Sequence, residues 1–415
     1  MASSLLQQLL SLLLLLLPSP LRLREHLSGN HPVSANNFHP IFLVAGMSCS
    51  DLEARLTEEY RPSVPHCGAM KGKGWFGLWK NSSELLSRDY MQCFEEQMSL
   101  VYDPDINEYR NLAGVETRVP NFGSTRAFSY KNPLKSDWCL GKLRAALEDM
   151  GYRDGDTMFG APTTSATRRR PPARRPRCTP ATSRSCWSWS RPRARGPGRR
   201  PSSSATASAV WSRSSSSGFL EPVRNFASGT DIHYVPATTP LATRAMWRSF
   251  ESAIVNFPSP AVFGRLQAPL VITRERNYSA SAQDMERFLA AVGSGEAAEP
   301  FRRRAVPKMS SFAAPMVPMT YISGVGNRTP LRLVFWGDDF DAGPEAVAYG
   351  DGDGKINSIS GLAFEKEMRR QPEQKKQFKS IKINKAQHST IVTDDFALHR
   401  VIQEIVEANN QKIPS

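Results

Sequence analysis

Two short stretches near the C-terminus hold residues that could act together in acid–base chemistry. AYGDGDGKIN (348–357) sets Asp351 and Asp353 in a glycine-rich turn, and NKAQHST (384–390) follows about thirty residues later with His388 in a loop. A histidine that takes a proton from a nucleophile and returns it to a leaving group needs a carboxylate to fix its tautomer and stabilise the imidazolium. Both stretches also have plainer readings. GDGDG can be a solvated turn or a loose cation loop, and a single histidine can be a packing residue; His233 and His399 have only that reading.

To bring Asp353 and His388 together the chain must supply strands and helices around them. HPIFLVAGM (39–47) reads as a buried strand closed by a tight turn at Ala45-Gly46, and APLVITRE and PMTYISGVG as two more strands. KSIKINKAQHST alternates Ile381 and Ile383 before the His388 loop. Helical spacing recurs at Leu140, Leu143, Leu147 and Met150, in SAQDMERFLAAVG with its acidic first turn, and at Leu398, Val401, Ile402, Ile405 and Val406. Strands alternating with helices imply an α/β architecture with a mostly parallel sheet. An acidic residue after a strand, then a histidine before the final helix, is the chain order of the last two triad members in α/β-hydrolases. There are no internal repeats.

The third member, a nucleophile elbow of the form G-x-S-x-G between a strand and a helix, does not occur in the chain. It belongs near residues 200–210, inside a segment unlike its surroundings. Residues 163–217 hold thirteen arginines and no Asp, Glu or Lys, against a net charge of +14 for the whole chain. The remainder is therefore nearly neutral, and the basicity is no general sign of a nucleic-acid partner. Rich in Arg, Ser and Pro and lacking aliphatic bulk apart from Val210, the segment is expected to be disordered if translated.

The flanks resemble the lecithin:cholesterol acyltransferase family, especially its plant members, and the related lysosomal phospholipases A. The resemblance rests on HPIFLVAGMSCSDLEARL, GWFGLWKN, YDPDINEYRNLAGVETRVPNFGST, GYRDGDTMFGAP, FASGTDI, NYSASAQDMERF, YGDGDG and QHST. In that family GAP is followed by Tyr-Asp-Phe/Trp-Arg, then about forty residues later by Gly-His-Ser-x-Gly-Gly, then by Ala-Pro-Trp-Gly-Gly. TTSATR (163–168) can be encoded by ACG ACT TCC GCT ACG CGC; one T in front turns the same letters into codons for Tyr-Asp-Phe-Arg-Tyr-Ala. In the same shifted frame PRCTPATSRSCWSWS (176–190) can read as an amphipathic helix and SATASAVW (204–211) as Gly-His-Ser-Phe-Gly-Gly-Leu. Residues 163–217 therefore read as a frameshifted or mis-spliced translation of a central strand, elbow and helix. The frame returns at GFLEPVRNFASG, with roughly two dozen family residues also absent before Gly218.

The resemblance implies an α/β-hydrolase fold with a lid or cap, and a triad of a serine, Asp353 and His388. The serine position maps to Ala207; Ser208 beside it falls where the family has an apolar residue. Asp353 is preferred to Asp351 as the second Asp of Gly-Asp-Gly-Asp-Gly. Lys355-Ile356 departs from the family's Thr-Val, and Lys355 is expected to pair with Asp353 in competition with His388. The backbone N–H of Met47 would supply half of an oxyanion hole. Cys67 and Cys93 align with the disulfide closing the lid loop 67–93, and Trp79 with the lid tryptophan that covers an acyl chain or enters a lipid surface; simple packing is the plain reading of Trp75 and Trp79. The implied boundaries are 36–162 for the N-terminal part of the hydrolase domain, 218–330 for a cap and returning core, and 331–410 for the part holding Asp353 and His388.

The implied chemistry is acyl transfer from a glycerophospholipid ester through an acyl-enzyme to a sterol, another alcohol or water, with no metal and no cofactor. As written the chain is expected to be catalytically impaired. Two other readings stand beside this one: a non-catalytic lipid-binding protein, and a protein with a genuine basic insert that binds nucleic acid or anionic membrane. The preferred partners are lipids with peripheral contact to a lipid surface, and no nucleic acid. The apolar run Leu5–Leu17 within residues 1–30 has the length of a signal-peptide core rather than a membrane span, with an uncleaved anchor as the alternative. Sequons at Asn81, Asn277 and Asn327 fit a secretory route, as do one or two disulfides among Cys49, Cys67, Cys93 and Cys139, whose pairing the spacing alone leaves open.

Overall fold

The apolar run IFLV becomes the first strand because alternate side chains find places on the two faces of a sheet: Ile41 and Leu43 are fully buried, while Phe42 and Val44 are partly covered. The computed structural model describes residues 38–44, 46, 49–79, 88–128, 139–161, 208–211, 220–229, 240–264, 268–310, 314–337 and 339–410. In chain order the strands are β1 (Ile41–Val44), β2 (Leu52–Leu56), β3 (Phe76–Trp79), β4 (Leu100–Asp103), β5 (Glu108–Asn111), β6 (Val115–Arg118), β7 (Met158–Ala161), β8 (Ser208–Trp211), β9 (Val271–Thr273), β10 (Asn277–Tyr278), β11 (Met319–Val325), β12 (Asn327–Phe335), β13 (Ala346–Gly352) and β14 (Phe378–Asn384). β1 lies between β7 and β8, parallel to both, and β11 runs parallel to β14 along seven paired positions from Met319 to Val325.

The fold is α/β, as expected, but parallel pairing is concentrated in these two groups and in β9 beside β12. β12 with β13, β2 with β3 and β6, β4 with β5, and β9 with β10 are antiparallel. β4–β5 and β9–β10 are joined by short connections, which suit antiparallel neighbours, whereas parallel neighbours need a crossover; β2 meets β3 and β6 across longer stretches of chain.

One expectation fails at the end of the arginine-rich segment. Ser208–Trp211 is ordered as β8, paired with β1 from Ile41↔Ser208 to Val44↔Trp211. Without β8, that edge of β1 would carry unpaired backbone N–H and C=O groups, so a short segment able to extend is drawn in to satisfy them. Val and Trp favour that conformation. Residues 162–207 and 212–219 lie outside the described residues.

The helices Gly141–Asp149 and Asp395–Asn410 bury the faces read from their spacing. Leu140, Leu143 and Leu147 from the first region, and Leu398, Val401, Ile402 and Ile405 from the second, pack with Ile41, Leu43 and Met158. Ile322 of β11 packs against this cluster and against a smaller one around Ile383, Ala386 and Ala397, so the last helix serves both parallel groups. A larger core joins Leu52, Ala54, Phe94 and Met98 to Phe226, Met246, Phe257, Phe288 and Phe335. Side chains from the region before residue 110 thus share a core with those of 220–335, across the boundaries read from the sequence.

The helix Arg88–Met98 in this core carries Glu95, whose Oε1 is buried without a hydrogen-bond partner. Burial pushes its carboxyl up from 4.5 to about 7. Below pH 4.5 the group is neutral in both folded and unfolded chains. Between 4.5 and 7 the unfolded chain ionises first and the folded state loses stability, and above 7 the loss is complete. Glu95→Gln is therefore expected to raise the melting temperature at pH 8 and leave it unchanged at pH 4. Equal shifts at both pH values would contradict this origin.

Candidate active site

β13 leads into a tight turn in which Gly354, at φ +92°, adopts a left-handed conformation that a side chain would strain. The turn folds the backbone around one carboxylate. Asp353 Oδ1 accepts hydrogen bonds from the N–H groups of Lys355 at 2.9 Å and Ile356 at 2.6 Å. Its Oδ2 lies 3.0 Å from Nδ1 of His388. The backbone N–H of His388 also donates to the Asp353 carbonyl at 2.9 Å, so main chain and ring are both tied to this residue. Asp353 is buried and the His388 side chain is about one-third exposed, at 34%. With Nδ1–H donated to Asp353, the lone pair available for proton exchange sits on Nε2.

Asp351 is used differently. Its carboxylate accepts from Ser358 Oγ at 2.7 Å and Gly326 N–H at 2.6 Å, and these bonds hold it below its ordinary value. It pins the turn, and Asp353 is the carboxylate that reaches His388. The expected contact between Lys355 and Asp353 is corrected by the structure. The ammonium pairs with Glu221 on the helix Leu220–Ser228, and only the Lys355 backbone N–H reaches Asp353. The main chain has already filled Oδ1, which leaves the long side chain free to find a carboxylate elsewhere.

Other anticipated residues are placed as follows. Met47 lies outside the described residues, but the turn after β1 is visible on either side of it: Cys49 N–H donates to Gly46 O at 3.3 Å. Ala207 also lies outside them; Ser208 immediately after it opens β8, so position 207 precedes a strand where an elbow serine must follow one. The backbone of Trp79 lies in β3 opposite Leu52. Trp75 is flanked by the guanidinium groups of Arg118 at 4.2 Å and Arg55 at 5.2 Å, which supports its packing role. Asn277 is exposed in β10, and Asn81 lies outside the described residues. Asn327 is partly buried and donates from Nδ2 to the carbonyl of Ala386 at 2.8 Å. His399 bonds Gln403 along its own helix, in keeping with its plain reading, and His233 lies outside the described residues.

Cys67 and Cys93 form the disulfide that the resemblance implied, and Cys49 pairs with Cys139. His66 lies beside the first bridge, but sulfurs joined to each other supply no thiolate, so that trio is not a metal site. The second bridge ties the turn after β1 to the start of the helix Gly141–Asp149. The loops closed span 26 and 90 residues, and loop-closure entropy gives stabilisations of about 3.5 and about 4.6 kcal/mol. Cys49→Ser with Cys139→Ser is thus expected to lower the denaturant midpoint more than Cys67→Ser with Cys93→Ser. The reverse order would count against an entropic origin.

Sequence reasoning missed the link between two of the quoted segments. Asp154 of GYRDGDTMFGAP accepts from Ser124 Oγ at 2.6 Å, Thr125 N–H at 2.7 Å and Thr125 Oγ1 at 2.9 Å, all of NFGST. Burial alone would raise this carboxyl; the three donors outweigh it and hold the group below its ordinary value. Gly123 and Gly160 exchange hydrogen bonds, fixing that loop on the C-terminal half of β7.

A buried carboxylate locking a partly exposed histidine just beyond the end of a parallel strand is the arrangement that the acid–base half of an α/β-hydrolase site requires. The family model described as lecithin:cholesterol acyltransferase matches residues 75–164. "Lecithin-cholesterol acyltransferase-like 1" of Oryza sativa subsp. japonica is 36% identical over 366 residues, covering 81% of this chain and 80% of that protein. The protein of the same name from Arabidopsis thaliana is 30% identical over 415 residues, covering 89% and 90%. "Lysosomal phospholipase A and acyltransferase" of Homo sapiens is 33% identical over 159 residues, covering 37% and 34%. The chain belongs to the lecithin:cholesterol acyltransferase family and has its α/β-hydrolase fold.

Proposed function

We propose that this chain is the scaffold of a serine-dependent O-acyltransferase and phospholipase of glycerophospholipid esters, and that as written it lacks the nucleophile. The observation that carries this reading is the 3.0 Å contact between His388 Nδ1 and Asp353 Oδ2 in a chain with no G-x-S-x-G elbow. In the reading frame that supplies Gly-His-Ser-Phe-Gly-Gly, the serine hydroxyl passes its proton to His388 Nε2 and attacks the ester carbonyl. Asp353 stabilises the imidazolium, which then protonates the departing lysophospholipid alkoxide and leaves an acyl-serine. An incoming sterol, other alcohol or water gives its proton to His388 Nε2 and takes the acyl group, and the imidazolium returns that proton to the departing serine oxygen. The N–H of Met47 and that of the residue after the serine would hold the oxyanion. Neither a metal nor a cofactor enters these steps.

The two disulfides support a route through an oxidising compartment, and the lumen of the secretory pathway, the vacuole or the extracellular space all fit. Among the described residues no helix is long and apolar enough to cross a membrane; the Leu5–Leu17 run lies outside them. Contact with lipid through the disulfide-closed loop and Trp79 belongs to the same proposal. A non-catalytic lipid-binding role is the second reading, favoured by the closed loop in a chain without a nucleophile. A genuine basic insert is disfavoured, because residues 208–211 within it form a strand beside β1, where an insert would leave the host sheet intact.

A fluorophosphonate probe tests the proposal directly, since it bonds only to an activated serine. The chain as written is expected to remain unlabelled, and the frame-restored chain to be labelled at the elbow serine. Labelling of Ser208, or of any serine in the present chain, would refute the assignment. So would a transcript whose codons between Gly160 and Gly218 are in frame and unlike those written above.

A further inference from the structure

The sequon Asn327-Arg328-Thr329 stands at the turn between β11 and β12, where both of its polar side chains are already engaged. Asn327 Nδ2 donates to the carbonyl of Ala386, two residues before His388. Thr329 is fully buried; its Oγ1 accepts the N–H of Gly354, next to Asp353, at 2.9 Å and donates to the Asn327 carbonyl at 3.0 Å. The same turn makes two further bonds to these loops. Lys385 N–H donates to Val325 O at 2.7 Å, and Gly326 N–H donates to Asp351.

Closeness reinforces this wiring. A Cβ on Gly324 would lie 2.0 Å from the Ala386 carbonyl oxygen and 3.1 Å from Asp353 Cβ, so the end of β11 passes directly between the histidine loop and the aspartate turn. Asp353 and His388 come from separate connections, and one turn is bonded to both. Misplacing either loop by about 1 Å would break a hydrogen bond that requires a separation near 3 Å.

We propose that Asn327, together with Thr329, is a positioning device for the His388–Asp353 pair, and that this sequon is not a glycan acceptor in the folded protein. A glycan bonded to Nδ2 would replace one of its hydrogens and place a bulky polar group at a partly buried contact. This placement rests on reading Asp353 and His388 as the acid–base pair. The bond between them is observable without catalysis, so failure of the brace and failure of the catalytic reading are separable.

The test uses the full chain labelled with ¹⁵N-histidine, in which the hydrogen-bonded Nδ1–H resonance of His388 is assigned by its loss in His388→Gln. Asn327→Asp is nearly isosteric but cannot donate to Ala386, and Thr329→Val removes the acceptor for Gly354. Both are expected to lose the resonance to solvent exchange, while Thr329→Ser retains it. In the frame-restored protein, the first two are expected to lower kcat by about 10²-fold with little change in KM. Retention of the resonance in Asn327→Asp, or a folded population glycosylated at Asn327 that still shows it, would overturn the proposal. Glycopeptide analysis, with exposed Asn277 in the same sample, is expected to find no glycan at Asn327. Should Asn327→Asp fail to fold, hydrogen exchange in the unmodified chain decides. The backbone N–H groups of His388 and Gly354 must exchange only with global unfolding, and fast independent exchange of either would overturn the brace.

Discussion

Restoring the reading frame through residues 163–217, with the missing segment before Gly218, is expected to create turnover where the chain as written has none. The gain should be on the order of 10⁶-fold in kcat over the present chain, the scale on which removal of a nucleophile disables a triad. The expectation follows from what is already assembled. Asp353 holds His388 by ring and main chain, the turn after β1 is tied down by Cys49–Cys139, and the loop 121–125 is locked on the end of β7. On the proposed reading, what fails is the segment beside β1. β8 begins one residue after position 207, so that position stands at the upstream end of its strand. In the restored chain the strand beside β1 should end at the elbow, with the serine after the strand and not before it. The measurement is release of labelled fatty acid from phosphatidylcholine vesicles, with and without sterol. Equal rates from the two chains would sink both the missing nucleophile and the frameshift that explains it.

The parts of the fold legible in the sequence are those where a periodic apolar pattern coincides with burial. The strand at 41–44, the helix faces of Leu143 and Leu147, and those of Leu398 and Ile402 are read correctly because side chains decide them. The resemblance favours Asp353 over Asp351, and in the structure Asp353 contacts His388 while Ser358 and Gly326 occupy Asp351. Long-range pairings were illegible. Nothing local indicates that Cys49 meets Cys139, that Lys355 finds Glu221, or that Asp154 captures Ser124 and Thr125. β2 and β6, LEARL and VETR, mix apolar and charged residues, and their strands depend on neighbours distant in sequence. Asn327 is a case in which local sequence and long-range contacts point to different uses of one residue. Its triplet matches a glycosylation signal, and only the structure reveals that Ala386 and Gly354 already occupy the two side chains that define it.

Asp353→Asn in the frame-restored protein is expected to lower kcat by roughly 10⁴-fold with KM changed by no more than a few-fold, because the wrong tautomer of His388 is then favoured. The local hydrogen bonds fix the direction of this effect. Oδ1 receives two backbone N–H groups, from Lys355 and Ile356, and only an oxygen can satisfy them. The oxygen of the new amide must therefore stay on that side, which turns its NH₂ toward His388 Nδ1. A ring nitrogen facing a donor becomes an acceptor, so the proton moves to Nε2, the atom that has to receive the serine proton. Asp351→Asn makes a suitable contrast: it disturbs bonds to Ser358 and Gly326, and should change kcat far less than Asp353→Asn while lowering thermal stability. Initial rates on vesicle substrate, with the His388 ¹⁵N spectrum to report the tautomer, check both parts. A fall as large in Asp351→Asn, or an unchanged rate in Asp353→Asn, would reverse the roles assigned to the two aspartates.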